Sequence, residues 1–220
     1  MCEDGSWTGV WRGNVVNMSQ LSCDRIEVEG TSDRDGIRRL LGGDDDLDGI
    51  ISSISEADPY VAGLAERCPG LRIMRQDHWE CLATYLLATN ANVARIGQMV
   101  ESVCRLFGDD LGCGYHSFPT PKQILDRKDE IPQCRLGFRE QRFLTLADRV
   151  ESGDIDIGSF SDMSYEECVG TLQSINGVGP KVADCVALFA FEHLTAFPVD
   201  ARISKILERM YGVSGSYRTV

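Results

Sequence analysis

No Cys-x-x-Cys pair occurs in the 220 residues, and none of the three histidines stands at metal-ligand spacing. A tetrahedral zinc site is therefore not expected. The nine cysteines (2, 23, 68, 81, 104, 113, 134, 168 and 185) are scattered, without the clustering an iron–sulfur centre needs. Their odd number also speaks against a disulfide framework. Most of them read as small buried apolar residues in a reducing compartment. No run reaches the roughly 18 consecutive apolar residues of a membrane span. No signal-peptide pattern opens the chain. A soluble, intracellular protein with no membrane partner, no metal site and no organic cofactor is expected.

A basic excess is missing as well. The net charge is −12, with four lysines against eighteen arginines. Such a balance argues against a nucleic-acid partner until the charge is mapped. Residues 1–66 carry 14 acidic residues against 5 arginines, whereas residues 67–220 carry 20 acidic against 17 basic ones. The acidic surplus thus sits in the N-terminal third, in runs such as GGDDDLDG, and the remainder can present a local basic face. High-salt adaptation and a plain solubilising surface both fit this pattern.

A hydrophobic content of 43% supports a packed core. The first 30 residues alternate as SWTGVWRG, NVVNMSQL and DRIEVEG, the pattern of a small antiparallel sheet. From Asp35 the period turns helical, through DGIRRLL, LDGIISSIS and DPYVAGLAERC. Asp77 to Leu106 reads as two helices with a polar corner at ATNAN, opened by Asp77 and Glu80 in capping-box spacing. Ser164 and Glu167 repeat that spacing at the start of MSYEECVGTLQSI. The fold class expected is mainly α with a small α+β part: a partial N-terminal antiparallel-sheet domain with flanking helices at 1–66, and a helical domain at 67–220.

The chemistry concentrates at SINGVGPKVADCVALFAF. Asn176-Gly177 suits a positive φ at a helix end. Gly177 and Gly179 let their backbone N–H groups be approached closely, and the helix that follows presents its positive end with the amide of Val182. Together these make a phosphate site without a basic side chain. An acidic protein can hold DNA in this way, through local backbone dipoles. Lys181 falls in the first turn of that helix, where a cation opposes the dipole. A solvent-facing lysine is the plain reading. The chemical one is a nucleophile, since a helix N-terminus and partial burial both favour the free amine.

The pattern L-x-x-I-x-G-V-G-P-K-x-A-D followed by AFPVDARI resembles the helix–hairpin–helix plus Gly/Pro-Asp signature of base-excision DNA glycosylases, most closely the eukaryotic-type 8-oxoguanine DNA glycosylases. The likeness extends to GLRIMRQDHWECLATYLLATNANVARIGQMVESVCRLFG, to RLGFREQRF and, loosely, to SWTGVW. It implies a helix–hairpin–helix DNA glycosylase fold acting on damaged double-stranded DNA; a monomer is expected, since a single lesion site needs no symmetry partner. It implies Lys181 as the nucleophile at C1′ of the lesion nucleotide and Asp200 as the carboxylate that stabilises positive charge there. Asp200 also reads as an N-cap for ARISKILERM, and the two roles are compatible. Cys185 would line the base pocket, or simply pack in the core. Phe138 would be the wedge that fills the gap left by a flipped base. Arg95 and Arg139, with Asn90 beside them, would serve the orphaned cytosine. Without this context, Phe138 reads as core and Arg95 as surface. A structural monovalent cation on the hairpin carbonyls is a further implication.

Two departures from the pattern carry expectations. Arg202 stands where the family often has histidine, and it can still contact a phosphate. The strand and the late helix that read the oxidised base have no counterpart in this sequence, which therefore looks truncated at both ends, with relaxed base selectivity expected. Excision of another damaged base, or DNA binding by a non-catalytic helix–hairpin–helix module, are the competing functions. The absence of a four-cysteine cluster separates the chain from endonuclease III-like enzymes, and Lys181 separates it from monofunctional alkyladenine glycosylases.

Overall fold

The structure, a computed structural model, describes residues 5–215. The alternating N-terminal segment forms three antiparallel strands, β1 (Ser6–Trp11), β2 (Asn14–Ser22) and β3 (Arg25–Glu29), in the order β1-β2-β3. Trp11 pairs with Asn14, so Arg12 and Gly13 form a two-residue turn, with φ of 47° and 73°. Two left-handed residues in that position match the twist of the flanking strands. Val16 and Met18 of β2 point inward and are buried.

Three helices follow: α1 (Arg34–Leu40), α2 (Leu47–Ala57) and α3 (Pro59–Arg67). Asp33, Asp46 and Asp58 cap them, accepting from Gly36 N, Gly49 N and Tyr60 N. Part of the N-terminal acidic surplus is therefore structural, since a carboxylate at a helix start satisfies free N–H groups and complements the dipole. Buried Arg75 grips both carboxylate oxygens of Asp45 at 2.7 Å.

The remaining elements are α4 (His78–Leu87), α5 (Val93–Phe107), β4 (Asp110–Gly112), β5 (Tyr115–His116), α6 (Pro121–Asp126), α7 (Glu140–Glu151), α8 (Tyr165–Gln173), α9 (Pro180–Phe189) and α10 (Ala201–Tyr211). Asp77 caps α4 through Glu80 N at 3.0 Å, but the reciprocal bond from Glu80 expected of a capping box is not made. At α8 the box is complete: Glu167 N donates to Ser164 Oγ, and Ser164 N donates to Glu167 Oε2. One core joins α4 to α9 through residues such as Leu82, Met99, Phe143, Leu172 and Val186.

The chain forms two compact units, Met1–Thr31 with Asp77–Val220 (of which 5–31 and 77–215 are described), and Ser32–Gln76. The sequence boundary at 66/67 is different. The sheet belongs with the long helical segment because β1 meets β5, while α2 and α3 pack mainly on each other. The cysteine expectation is met only in part. Cys81, Cys134, Cys168 and Cys185 are buried, whereas Cys23, Cys68 and Cys113 are exposed; Cys2 lies outside the described residues. No helix among the described residues is long and apolar enough to cross a membrane.

Candidate active site

Helix α8 ends at Gln173, and the chain turns tightly, with Ile175 N donating to Leu172 O and Val178 N to Ile175 O. Gly177 sits at φ +97°, and a methyl group there would lie 2.8 Å from Arg142 Cδ and 3.0 Å from Leu86 Cδ1. Both the conformation and the close approach require glycine. Gly179 is the N-cap of α9, followed by Pro180 at the first helical position, and no side chain caps this end. A methyl group at Gly179 would meet no atom within 4 Å. The first amides of α9, those of Lys181 and Val182, thus lack a side-chain cap, and an uncapped helix start is where an anion is taken.

Lys181 is exposed, so the partial burial expected from the sequence is not found. Its first turn belongs to a helix whose next six residues, from Ala183 to Leu188, are buried. The lysine is thus the rim of an otherwise sunken helix. Its Nζ lies 5.9 Å from the ring centroid of Tyr85, which itself stacks parallel on Phe189 at 6.2 Å. Buried Cys185 stands one turn after Lys181. Burial pushes its thiol up, while the positive charge of Lys181 and hydrogen bonds to Tyr85 and Lys181 pull the other way. Burial likewise raises the phenol of Tyr85, helped by the neighbouring thiols Cys185 and Cys81.

Asp200 takes the capping role read from the sequence. Its Oδ1 accepts from Arg202 N at 2.8 Å and Ile203 N at 2.9 Å, which caps α10. Its carboxyl is held below the usual carboxylate range, first by the bond from Ile203, then by that from Arg202 and by the charges of Lys181 and Arg202. An ionised carboxylate near the lysine is the result. Arg202 is exposed on the same first turn. Asp184, the other acid of the motif, is buried and accepts from Tyr165 on α8 at 2.6 Å. That bond joins the two helices of the motif.

A second group of residues surrounds Phe138. This ring is 55% exposed, so it is not the core residue its type suggests. It rides on a short 3₁₀ turn, Gly137–Arg139, leading into α7. Arg139 and Arg142 lie over it at 4.3 and 5.3 Å from the ring centroid. Arg139 is buried rather than free. Its Nε donates to Thr89 O at 2.9 Å, its Nη2 to the same oxygen, and its Nη1 to Leu136 O at 3.4 Å. Burial, with the charges of Arg95 and Arg142, holds its guanidinium below the usual arginine range. Arg95 donates to Arg135 O. Asn90 is exposed at the α4–α5 corner with φ +54°.

The chain has relatives among known proteins. Residues 1–82 match the model of the family described as 8-oxoguanine DNA glycosylase, N-terminal domain. The fold matches that of MBOgg1 in complex with a low-affinity DNA ligand, with a TM-score of 0.89 and 33% identity, over 98% of this chain and 76% of that one. The chain belongs to the 8-oxoguanine DNA glycosylase family. Another similar structure is the Clostridium acetobutylicum 8-oxoguanine glycosylase/lyase in complex with double-stranded DNA containing cytosine opposite 8-oxoguanine. It matches at a TM-score of 0.89 and 25% identity, over 98% of this chain and 76% of that one. In sequence, the chain is 34% identical to the N-glycosylase/DNA lyase of Saccharomyces cerevisiae over 67% of its own length. It is also 34% identical to the N-glycosylase/DNA lyase OGG1 of Arabidopsis thaliana, over 70% of its length. These alignments span 43% and 45% of the two curated relatives, so the chain covers less than half the length of either.

Two residues around these groups escape a sequence reading. Tyr85 looks like one of the apolar positions of α4, and only packing shows it beside Lys181 and Cys185. Arg142 follows Phe138 by four residues, a helical spacing that brings side chains to one face. That spacing was the available signal.

Proposed function

We propose that this chain acts in base-excision repair as a bifunctional DNA N-glycosylase and apurinic/apyrimidinic lyase that removes 8-oxoguanine opposite cytosine. The reading rests on one arrangement above all: the exposed amine of Lys181 at an uncapped helix start, with ionised Asp200 near it. The hairpin amides at Gly177, Gly179 and Val182, with Arg202, would hold the DNA backbone by its phosphates. The neutral amine of Lys181 would attack C1′. The N-glycosidic bond breaks, its electron pair leaves with the base, and the base takes up a proton. Asp200 counters the positive charge that develops at C1′. The amine, now bonded to C1′, gives up one proton; its lone pair then breaks the C1′–O4′ bond, O4′ takes up a proton as a hydroxyl, and a C1′ iminium that keeps the other N–H proton remains. Removal of a C2′ proton then expels the 3′ phosphate and nicks the strand.

Phe138, already exposed, would fill the gap left by the extruded base. Arg95 and Arg139 would exchange their carbonyl acceptors, Arg135 O and Thr89 O, for N3 and O2 of the orphaned cytosine, with Asn90 alongside. Cys185 and Tyr85 would bound the base pocket next to the lysine. An intracellular, DNA-associated location is part of the same reading.

The test is borohydride trapping. Incubation with a duplex holding 8-oxoguanine opposite cytosine should give a covalent adduct that Lys181→Gln abolishes. Tight binding without any adduct would overturn the enzymatic reading in favour of a DNA-binding module. An adduct formed only with another damaged base would change the substrate and leave the chemistry.

A further inference from the structure

We infer that Arg142 is a ligand for a DNA backbone phosphate and couples the hairpin's phosphate grip to the wedge at Phe138. The inference rests on the glycosylase reading above and deepens it by assigning a residue that the sequence pattern left out.

Arg142 is half-buried in the first turn of α7, a helix start with no side-chain cap. A cation is poorly placed there, because the helix dipole opposes it. Its neighbours make matters worse: the charges of both Arg95 and Arg142 bear on Arg139. Arg139 and Arg95 each have carbonyl acceptors within the chain. Among the described residues, none accepts a hydrogen bond from Arg142 or forms an ion pair with it. Three guanidinium groups thus share one region, and Arg142 is the one that keeps its donors for an anion from outside the chain.

The placement of the side chain says which anion. Its stem lies against the hairpin, where a Cβ on Gly177 would be 2.8 Å from Cδ and 3.3 Å from Nε. Its guanidinium carbon lies 5.3 Å from the Phe138 ring centroid. The hairpin thus fixes the stem, and the ring supports the planar head. What remains is a fork of N–H donors beside the hairpin at Gly177. A phosphodiester matches that fork, since two of its oxygens can each accept from the guanidinium. A base edge is the poorer match, because Arg142 lies against the hairpin that would hold the backbone. A phosphate held jointly by the amides and Arg142 would place the sugar at Lys181 and the ring of Phe138 from one anchor. Arg142 is then a positioning residue and takes no part in bond making.

The measurement is binding, not excision. The affinity for a duplex carrying one tetrahydrofuran abasic analogue opposite cytosine is followed against potassium chloride concentration. Each phosphate contact contributes about 0.9 to the slope of log Kobs against log salt. Arg142→Ala and Arg142→Gln should therefore each lower the slope by about 0.9, and Arg142→Lys should restore it. An unchanged slope in the Ala and Gln variants overturns the inference. A loss that Lys does not restore also overturns it, and assigns Arg142 to stacking on Phe138 alone. Thermal melting of Arg142→Gln, which keeps the stem, guards against misreading an unfolded variant. A wild-type chain that gives no borohydride adduct but keeps the Arg142-dependent slope would sink the catalytic reading and leave this one standing.

Discussion

The phenol of Tyr165 donates to the buried carboxylate of Asp184 at 2.6 Å, joining α8 to α9 behind the hairpin. Burial, together with the bond to Asp184, pushes this phenol up to about 12. Tyr165→Phe removes a hydrogen bond to a buried acid, at a cost of about 1–3 kcal/mol. Its melting temperature should drop, while borohydride trapping through Lys181 persists. The folded value lies above the ordinary tyrosine value of about 10. The stabilisation is therefore full below about pH 10 and is lost as pH rises towards 12. The alkaline limb of the melting-temperature profile should flatten in Tyr165→Phe.

Asp200 acts both as helix cap and as carboxylate near Lys181, and the two roles separate by substitution. Asparagine caps a helix as well as aspartate does, whereas alanine costs about 1 kcal/mol. Asp200→Asn should keep the melting temperature and lose excision of 8-oxoguanine. Asp200→Ala should lose both. Because the folded carboxyl is lowered, its contribution is complete above about pH 4 and fades as pH falls below that. The acid limb of stability should be shallower in Asp200→Asn. A variant with wild-type excision rates would remove Asp200 from the chemistry.

Phe138 and Arg139 are adjacent, yet opposite kinds of failure are expected of them. Phe138 is largely exposed, so Phe138→Ala should leave stability within about 0.5 kcal/mol and weaken binding of an abasic duplex. Arg139 is buried and satisfies Thr89 O. Arg139→Ala leaves that carbonyl with one partner fewer, so both melting temperature and lesion binding should fall. Equal melting temperatures for the two variants would contradict this division.

The hairpin glycines divide in the same manner. Gly177→Ala forces a left-handed residue to carry a side chain, at roughly 1–2 kcal/mol, and sets a methyl against Arg142 and Leu86. A lower melting temperature is expected. Gly179→Ala meets no neighbour in the protein. It should fold normally and lose DNA affinity, because the methyl group occupies the approach to the α9 amides. Titration of both variants with an abasic duplex, beside thermal melts, checks the pair.

Much of this protein is determined by short stretches of sequence. The alternation of Ser6 to Glu29 makes strands, Ser164 and Glu167 start α8, and Gly177 and Pro180 shape the hairpin that delivers Lys181. Each of these acts over one short stretch of chain, through turn conformation, capping and side-chain period, so it can be read along the chain. The tertiary structure decided everything that depends on partners far apart. It set Tyr85 beside Lys181, turned Arg139 inward onto Thr89 fifty residues away, laid Arg142 against Gly177, and grouped the sheet with the helical unit rather than with α1 to α3. Burial and long-range hydrogen bonding are properties of the packed core. A run of residues shows which side chains could meet, and only the packing of helices on one another shows which of them do.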